Sequence, residues 1–214
     1  IGRWTRTCPV FDIFNNRVVM FKDSWRMSLK DVLPEGETHK LLKSHNVRNV
    51  TSCIAFNDVI HTTPEQNTQD CQAVTPHILH RLVLDLVGEQ LTDFESSREL
   101  VQSVRDALLA HQDASKNAKI LHQDLSVRNI VIYRGRGFLI YWDLAKVLDK
   151  PPARYGTWQF MSAHLIKNNF AVHAVEDDLE SGLYVVLWTA LKYRESYMSV
   201  IDRMQFILQI FDAD

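Results

Sequence analysis

The chain has 214 residues, 46% of them hydrophobic and 23% charged, which is typical of a globular protein of one domain or two small lobes. The net charge of −2 at pH 7 gives no indication of a nucleic-acid binder, and no apolar run reaches the roughly 18 residues of a transmembrane helix. The three cysteines form no CxxC pair. This pattern predicts an intracellular protein, cytoplasmic or nuclear, without a disulfide scaffold or a zinc site.

The N-terminal part of the chain is predicted to be rich in strands. The two β-rich runs of VFDIFNNRVVMF (10–21) flank Asn15-Asn16, a hairpin turn signal. After it come a short helix, a strand, a polar loop and a buried strand ending at a glycine, over residues 36–45, 49–60, 61–77 and 80–88.

The remainder is predicted to be mostly helical. Residues 91–118 show helical periodicity, with Asp93, Ser96 and Ser97 as candidate N-caps. A β-hairpin follows, then a loop with a short helix, a well-buried helix and an amphipathic terminal helix, over residues 120–146, 151–165, 176–192 and 193–214.

The predicted hairpin carries a set of side chains suited to phosphate chemistry. Asp124 and Asn129 precede its first strand, and Asp143 follows its second. Because a hairpin brings the ends of its strands together, we expect these three to meet at one edge. Phosphoryl transfer needs one carboxylate to orient the attacking hydroxyl, and an amide with a second carboxylate to hold Mg²⁺.

The order of these residues matches the protein-kinase catalytic loop. His122 begins the pattern H-x-D-x-x-x-x-N, and Asp143 comes after the next strands. The prediction is that Asp124 is the catalytic base, with Asn129 and Asp143 as metal ligands.

The upstream residues supply a candidate nucleotide grip. VVMFK places Lys22 at the end of an apolar strand, and Glu37 in the following helix is the predicted partner of that lysine. Glu35 is the weaker alternative for this pairing.

A hinge is predicted after the strand RLVL. Leu84, Asp85 and Val87 there are the predicted contacts for the nucleotide base, and Gly2 is the remnant of a glycine-rich loop. Further along, Asp178 opens the predicted buried helix and resembles the aspartate that braces the backbone of the catalytic loop in protein kinases.

Five ordered motifs resemble the fungal-type protein kinase family, across residues 2 to 190: FKDSW (21–25), LHQDLS (121–126), LIYWDLAK (139–146), GTWQFMS (156–162) and EDDLESGLYVVLW (176–188). The resemblance implies an α+β, bilobal protein kinase-like fold. Its lobes would be a β-rich N-lobe (1–84), a hinge (85–88) and a mostly helical partial C-lobe (89–214), truncated at both ends. It also implies binding of Mg-ATP and transfer of the γ-phosphate to serine or threonine of a protein substrate.

Several positions depart from the family pattern. Gln123 replaces the arginine of HRD, His164 the glutamate of APE and Leu144 the glycine of DFG, and little of the glycine-rich loop is present. These departures motivate an alternative, a pseudokinase that acts as a binding module. A third possibility is a small-molecule kinase of the aminoglycoside or choline type, which shares the loop and an IDW-like metal motif but lacks the GTWQFMS segment.

Overall fold

The computed structural model describes residues 5–27, 32–59, 77–148, 156–168 and 170–211. The predicted α+β class is confirmed, since a sheet-rich N-terminal region precedes a largely helical C-terminal one. The strands are Thr5–Asp12 (β1), Arg17–Met27 (β2), Cys53–Val59 (β3), His77–Leu84 (β4), Glu89–Gln90 (β5), Ile120–Leu121 (β6), Ile130–Tyr133 (β7), Arg136–Leu139 (β8) and Lys146–Val147 (β9). The helices are Glu35–Ser44 (α1), Ser97–Asp113 (α2), Ala163–Lys167 (α3), Val175–Tyr193 (α4) and Val200–Phe211 (α5).

The N-terminal strands form an antiparallel sheet in the order β1-β2-β4-β3. The predicted turn between β1 and β2 is confirmed, and Asn16 adopts a φ of 49° there. Helix α1 packs closely on β3 at Gly36, where an added Cβ would lie 2.1 Å from the ring of Phe56. Only a residue without a side chain permits that approach, so Gly36 fixes the position of the N-terminus of α1.

The segment after α1 joins the two parts of the molecule. The Arg48 guanidinium donates to both carboxylate oxygens of Asp113 on α2, at 2.6 and 2.8 Å. The Asn49 amide donates to the carbonyl of Asp106 on the same helix, and the Asn49 carbonyl accepts from Leu139 N at 3.0 Å. These contacts tie the sheet region to α2 and to the hairpin β7–β8.

Helix α2 is the support for that hairpin. The predicted capping is confirmed at Ser96, whose hydroxyl accepts from Glu99 N at 3.1 Å. Gly137 of β8 lies flat against α2, because an added Cβ would be 2.0 Å from the carbonyl oxygen of Ser103. The Arg136 guanidinium and Gly137 N both donate to the buried carboxylate of Asp106, which pins the hairpin to the helix.

Helix α4 is buried on one face only, so the prediction of a well-buried helix is right in part. Gly182 faces Leu108 and Leu125 closely, and Val185 is fully buried. The opposite face carries Leu179, Leu183 and Leu187 at four-residue spacing, 43–56% exposed. The helix is therefore clamped on the side that faces α2 and the catalytic loop.

The terminal helix and the end of β4 can also be compared with their predictions. The terminal helix is confirmed over Val200–Phe211, and β4 ends at Leu84, before the predicted glycine. Gly2 and most of the predicted loop 61–77 lie outside the described residues. The boundaries of the two lobes remain a prediction.

No helix in the described segments combines the length and hydropathy that a bilayer span requires.

Candidate active site

Lys22 is a fully buried cation at the centre of the site. Its Nζ donates to Glu35 Oε2 at 2.6 Å and to Asp143 Oδ1 at 3.4 Å, and it lies 4.3 Å from the centroid of the Tyr141 ring. Burial by itself would lower the pKa of Lys22, but the two carboxylates outweigh it and raise the pKa above its ordinary value. Lys22 therefore stays charged, and it links β2, α1 and the segment after β8.

The predicted pairing of Lys22 with Glu37 is wrong in this structure, and the weaker alternative, Glu35, is the partner. Helix α1 begins at Glu35, and its buried positions are Glu35, Gly36, Thr38, His39 and Leu42. Glu37 points away from Lys22 and forms an exposed ion pair with Lys40 at 3.0 Å. At 100° per residue, a helix cannot turn residues 35 and 37 to the same side.

The backbone of Trp142 holds Glu35 in place, and a buried histidine lies beside it. Its Oε1 accepts from the backbone N of Trp142 at 3.1 Å, so α1 is bonded to the segment that carries Asp143. Beside it, the buried ring of His39 donates from Nδ1 to the Thr51 carbonyl at 3.0 Å. Burial, with a further contribution from Lys22, lowers the pKa of His39 to about 4. His39 is therefore neutral at pH 7 and adds no second cation.

The structure brings Asp124 and Asn129 together, as the spacing predicts. Asn129 Nδ2 donates to the Asp124 carbonyl at 2.6 Å and to Asp124 Oδ2 at 2.7 Å, across a short 3₁₀ turn at Val127–Asn129. The hydroxyl of Thr157 donates to Asp124 Oδ1 at 2.7 Å. Both carboxylate oxygens of Asp124 are thus oriented by neighbours.

The buried ring of His122 holds the same loop in place through hydrogen bonds from both of its nitrogens. Its Nε2 donates to the Ile140 carbonyl at 3.0 Å, and its Nδ1 accepts from Asp124 N at 3.3 Å. Burial lowers the pKa of His122, which is consistent with this neutral tautomer. The ring packs edge-on to Trp142, with centroids 4.6 Å apart. His122 therefore fixes both the Asp124 backbone and the end of β8.

The predicted bracing role of Asp178 is confirmed. Its Oδ2 accepts from the backbone N of Gln123 at 3.1 Å, and it also accepts from His111 and His173 at 2.8 and 2.9 Å. Burial would raise the pKa of Asp178, but the bonds from the two histidines outweigh it and hold the pKa well below its ordinary value. Gln123 adopts a φ of 68°, in the left-handed region. Asp178 thus stabilises a backbone turn that a residue with a side chain rarely adopts.

A cavity of about 1020 Å³ lies beside these groups, between the sheet and the helical region. Its lining includes Leu84 at the end of β4, Leu86 and Gly88 just after it, and Ile130 and Ile140 from the two strands of the hairpin and their ends. Of the predicted hinge contacts, Leu84 lines the cavity, whereas Asp85 and Val87 do not. Asp85 instead accepts from Ser52 N at 2.8 Å. The nucleotide contacts of Asp85 and Val87 stay predictions.

The donor chemistry at Asn129 and Asp143 fits Mg²⁺. Because Asn129 uses its NH₂ group on Asp124, its side-chain carbonyl oxygen is the atom that could bind a cation, and the Asp143 side chain is 17% exposed. In the described part of the chain, no group of three or more His, Cys, Asp or Glu side chains forms a metal cage. Mg²⁺ at phosphate sites uses one or two protein ligands together with the phosphates, which agrees with this pair.

Sequence reasoning placed Leu86 and Gly88 in the hinge without assigning them a contact, and it gave Tyr141 and Thr157 no role in the site. Leu86 and Gly88 line the cavity because an extended chain presents alternate residues to one side. Tyr141 lies over Lys22 from a left-handed backbone with a φ of 61°. Thr157 sits in the quoted GTWQFMS motif, but a bond across 33 residues leaves no local signal.

Comparison with solved structures places this geometry in a known class. The granulovirus kinase PK-1 of Cydia pomonella granulovirus superposes with a TM-score of 0.64 and 16% identity, over 100% of this chain and 78% of that one. At this identity the likeness shows the fold alone, and that fold is the protein kinase fold. The family model described as fungal protein kinase matches residues 57–190, more than half of the chain. The chain belongs to the fungal protein kinase family. No curated protein matches it.

Proposed function

We propose that the protein is an active protein kinase that transfers the γ-phosphate of Mg-ATP to serine or threonine hydroxyls of a protein substrate. One observation carries this proposal. Lys22, Glu35 and Asp143 converge from three separate elements, beside a loop in which Asn129 orients Asp124. A buried cation with two carboxylates is costly to maintain, and phosphate binding is a reason to maintain it.

The roles follow from position and charge. Lys22, held by Glu35, would contact the α- and β-phosphates. Asp124 would orient the acceptor hydroxyl and take its proton, a contribution worth about 10²–10⁴ in rate. Asn129 and Asp143 would hold Mg²⁺, which neutralises charge on the phosphates. Leu84 and Leu86 would enclose the adenine base through apolar contact.

The bond from Thr157 to Asp124 supports an aliphatic acceptor. A short hydroxyl-bearing side chain on an adjacent segment reaches Asp124 Oδ1 at 2.7 Å. A substrate serine or threonine would make the same approach. The GTWQFMS segment also contributes Thr157, Gln159 and Phe160 to the cavity wall, which favours a protein substrate over a small alcohol.

Thermal unfolding with and without Mg-ATP tests nucleotide binding. A ligand at a hundredfold excess over Kd stabilises the folded state by about 2.7 kcal/mol. We expect a Mg-dependent rise in Tm for the wild type and its loss in Asp143→Asn. The matched control is Asp93→Asn, at an exposed carboxylate outside the cavity. A protein that melts cooperatively yet does not respond to millimolar Mg-ATP would contradict the proposal and favour the pseudokinase.

Transfer itself is tested with radiolabelled ATP and a library of serine- and threonine-containing peptides. Asp124→Asn should reduce transfer by about 10²–10⁴. The same variant should keep the nucleotide-dependent rise in Tm, because Asp124 is assigned to the acceptor side. Undiminished transfer by Asp124→Asn would remove this residue from the mechanism.

A further inference from the structure

The cavity extends past the proposed nucleotide side to a second wall. This wall combines the catalytic loop, the segment after Gly156 and the C-terminal end of α4. Its lining residues are Arg128, Gln159, Phe160, Trp188, Lys192 and Tyr193. Thr157, which is bonded to Asp124, lies where the two sides of the cavity meet. The second wall is therefore adjacent to the carboxylate assigned to the acceptor hydroxyl.

The charge of this wall has one sign. Arg128 and Lys192 are the charged side chains among the described residues that line the cavity, and neither aspartate nor glutamate is part of that lining. Both cations are exposed to solvent. Arg128 is presented by the 3₁₀ turn at Val127–Asn129, between two buried neighbours. The turn thus aims a cation outward within four residues of Asp124.

Lys192 is held in position by aromatic rings. Its Nζ lies 4.3 Å from the centroid of Trp188 and 5.7 Å from that of Tyr193. Trp188 in turn packs edge-on against Phe160, at a centroid distance of 5.7 Å. Cation–π contact restricts a side chain that would otherwise be mobile. The ammonium is therefore pre-positioned, which lowers the entropy lost when a ligand binds it.

We propose that this wall selects acidic peptides, with Arg128 and Lys192 binding aspartate, glutamate or phosphoserine residues that flank the acceptor serine or threonine. The inference rests on the proposed function and names its substrate class. Complementary charge at a rim acts mainly on specificity and on the rate of association. Because both cations are exposed, each contributes modestly, about threefold in affinity.

The experiment measures binding apart from catalysis. Three fluorescent peptides share a central serine and differ in their flanks, which are acidic, neutral or basic. Anisotropy titration with the full chain and Mg-ADP gives the Kd of each, at two salt concentrations. We expect the acidic peptide to bind about tenfold more tightly than the basic one at low salt, with the gap narrowing at high salt. Phosphate transfer to the same peptides is measured in parallel.

Charge reversal tests whether Arg128 and Lys192 are the residues that select acidic peptides. Arg128→Glu/Lys192→Glu should invert the preference, so that the basic peptide binds more tightly. Arg98→Glu, at an exposed arginine of α2 outside the cavity, is the matched control and should keep the acidic preference. Where the double variant does not fold, as judged by circular dichroism, Arg128→Gln and Lys192→Gln separately should each weaken acidic-peptide binding about threefold.

The outcomes separate the two proposals. Acidic preference that the variants abolish, without transfer to any peptide, supports the binding site and counts against an active kinase. Transfer with no preference among flanks supports the kinase and overturns the acidic selection. The selection is also overturned by equal binding of all three peptides, by no binding at all, or by an equal effect of Arg98→Glu. If Arg128→Glu/Lys192→Glu raises the KM for ATP but leaves peptide binding unchanged, the two cations belong to the nucleotide site. That result would also overturn the acidic selection.

Discussion

Two buried charge clusters lie near the loop that carries Asp124, and they differ in how completely they are shielded from solvent. Around Asp178, the carboxylate is satisfied by His111, His173 and a backbone N–H, and its side chain is 1% exposed. Around Lys22, the cation is shared by Glu35 and Asp143, and Asp143 remains 17% exposed. The closed cluster around Asp178 is suited to a structural role. The open cluster around Lys22 can exchange a contact within the protein for a contact with a phosphate.

The difference between the two clusters indicates which buried charges can take part in ligand binding. A charge whose partners are all internal cannot exchange any of them, because no ligand can reach it. A charge with one partner near solvent can trade that partner. Substitutions in the two clusters should therefore differ in their effects on stability and on the response to nucleotide.

The largest expected effect on stability is at the closed cluster. Asp178→Asn replaces a carboxylate that accepts three hydrogen bonds with an amide that can accept fewer and adds an N–H facing donors. We expect a loss of about 4 kcal/mol in the free energy of unfolding, from urea titration at pH 7. Because the native pKa of Asp178 is depressed, its stabilisation is present above about pH 4 and lost as pH falls further.

The difference between wild type and Asp178→Asn should therefore shrink in acid. The Kd for Mg-ATP of the folded variant, measured by isothermal titration calorimetry, should stay within about twofold of the wild type. A large loss of nucleotide affinity in a folded Asp178→Asn would break the distinction between the clusters.

A somewhat smaller loss of stability is expected at the open cluster, together with a loss of nucleotide response. Glu35→Gln leaves Lys22 with Asp143 as its remaining carboxylate and should cost about 3 kcal/mol. It should also weaken the Mg-ATP-dependent rise in Tm. Glu37→Gln is the matched change one half-turn away, at an exposed pair, and should change stability by less than about 0.5 kcal/mol. Equal effects from the two variants would refute the assignment of Glu35.

The smallest effect is a dependence of stability on pH within the open cluster. The native pKa of His39 is lowered to about 4, below an unfolded value of about 6.5. Between these values the unfolded chain binds a proton that the native state does not, so stability falls as pH falls from 6.5 to 4. The slope contributed by His39 is at most about 1.4 kcal/mol per pH unit.

His39→Asn can keep a donor for the Thr51 carbonyl and should flatten the slope in urea titrations at pH 7, 6 and 5. Other buried histidines keep part of the slope. The control is His45→Asn, at a solvent-exposed position, for which the wild-type slope is expected. A slope unchanged by His39→Asn would show that this site does not govern the acid response.

The sequence was informative where the determinants are local. The hairpin at Asn15-Asn16 and the Asp124–Asn129 loop depend on neighbours within a few residues, and both are found as predicted. The choice between Glu35 and Glu37 failed because it depends on which leucine of α1 is buried. Leu42 is buried, and it shares a face with Glu35, seven residues earlier. The bond from Thr157 to Asp124 depends on the tertiary fold and could not be read from spacing.

Gly137 limits the substitutions that the hairpin can accept where it contacts α2. The residue has no side chain, yet it sets the distance between the hairpin and α2, because the Ser103 carbonyl occupies the place of a Cβ. Any larger residue there would lift the hairpin and, with it, both Asn129 and Asp143 at its ends. The alignment of the two proposed metal ligands thus depends partly on a position at which the chain carries no side chain, where the hairpin meets the backbone of α2.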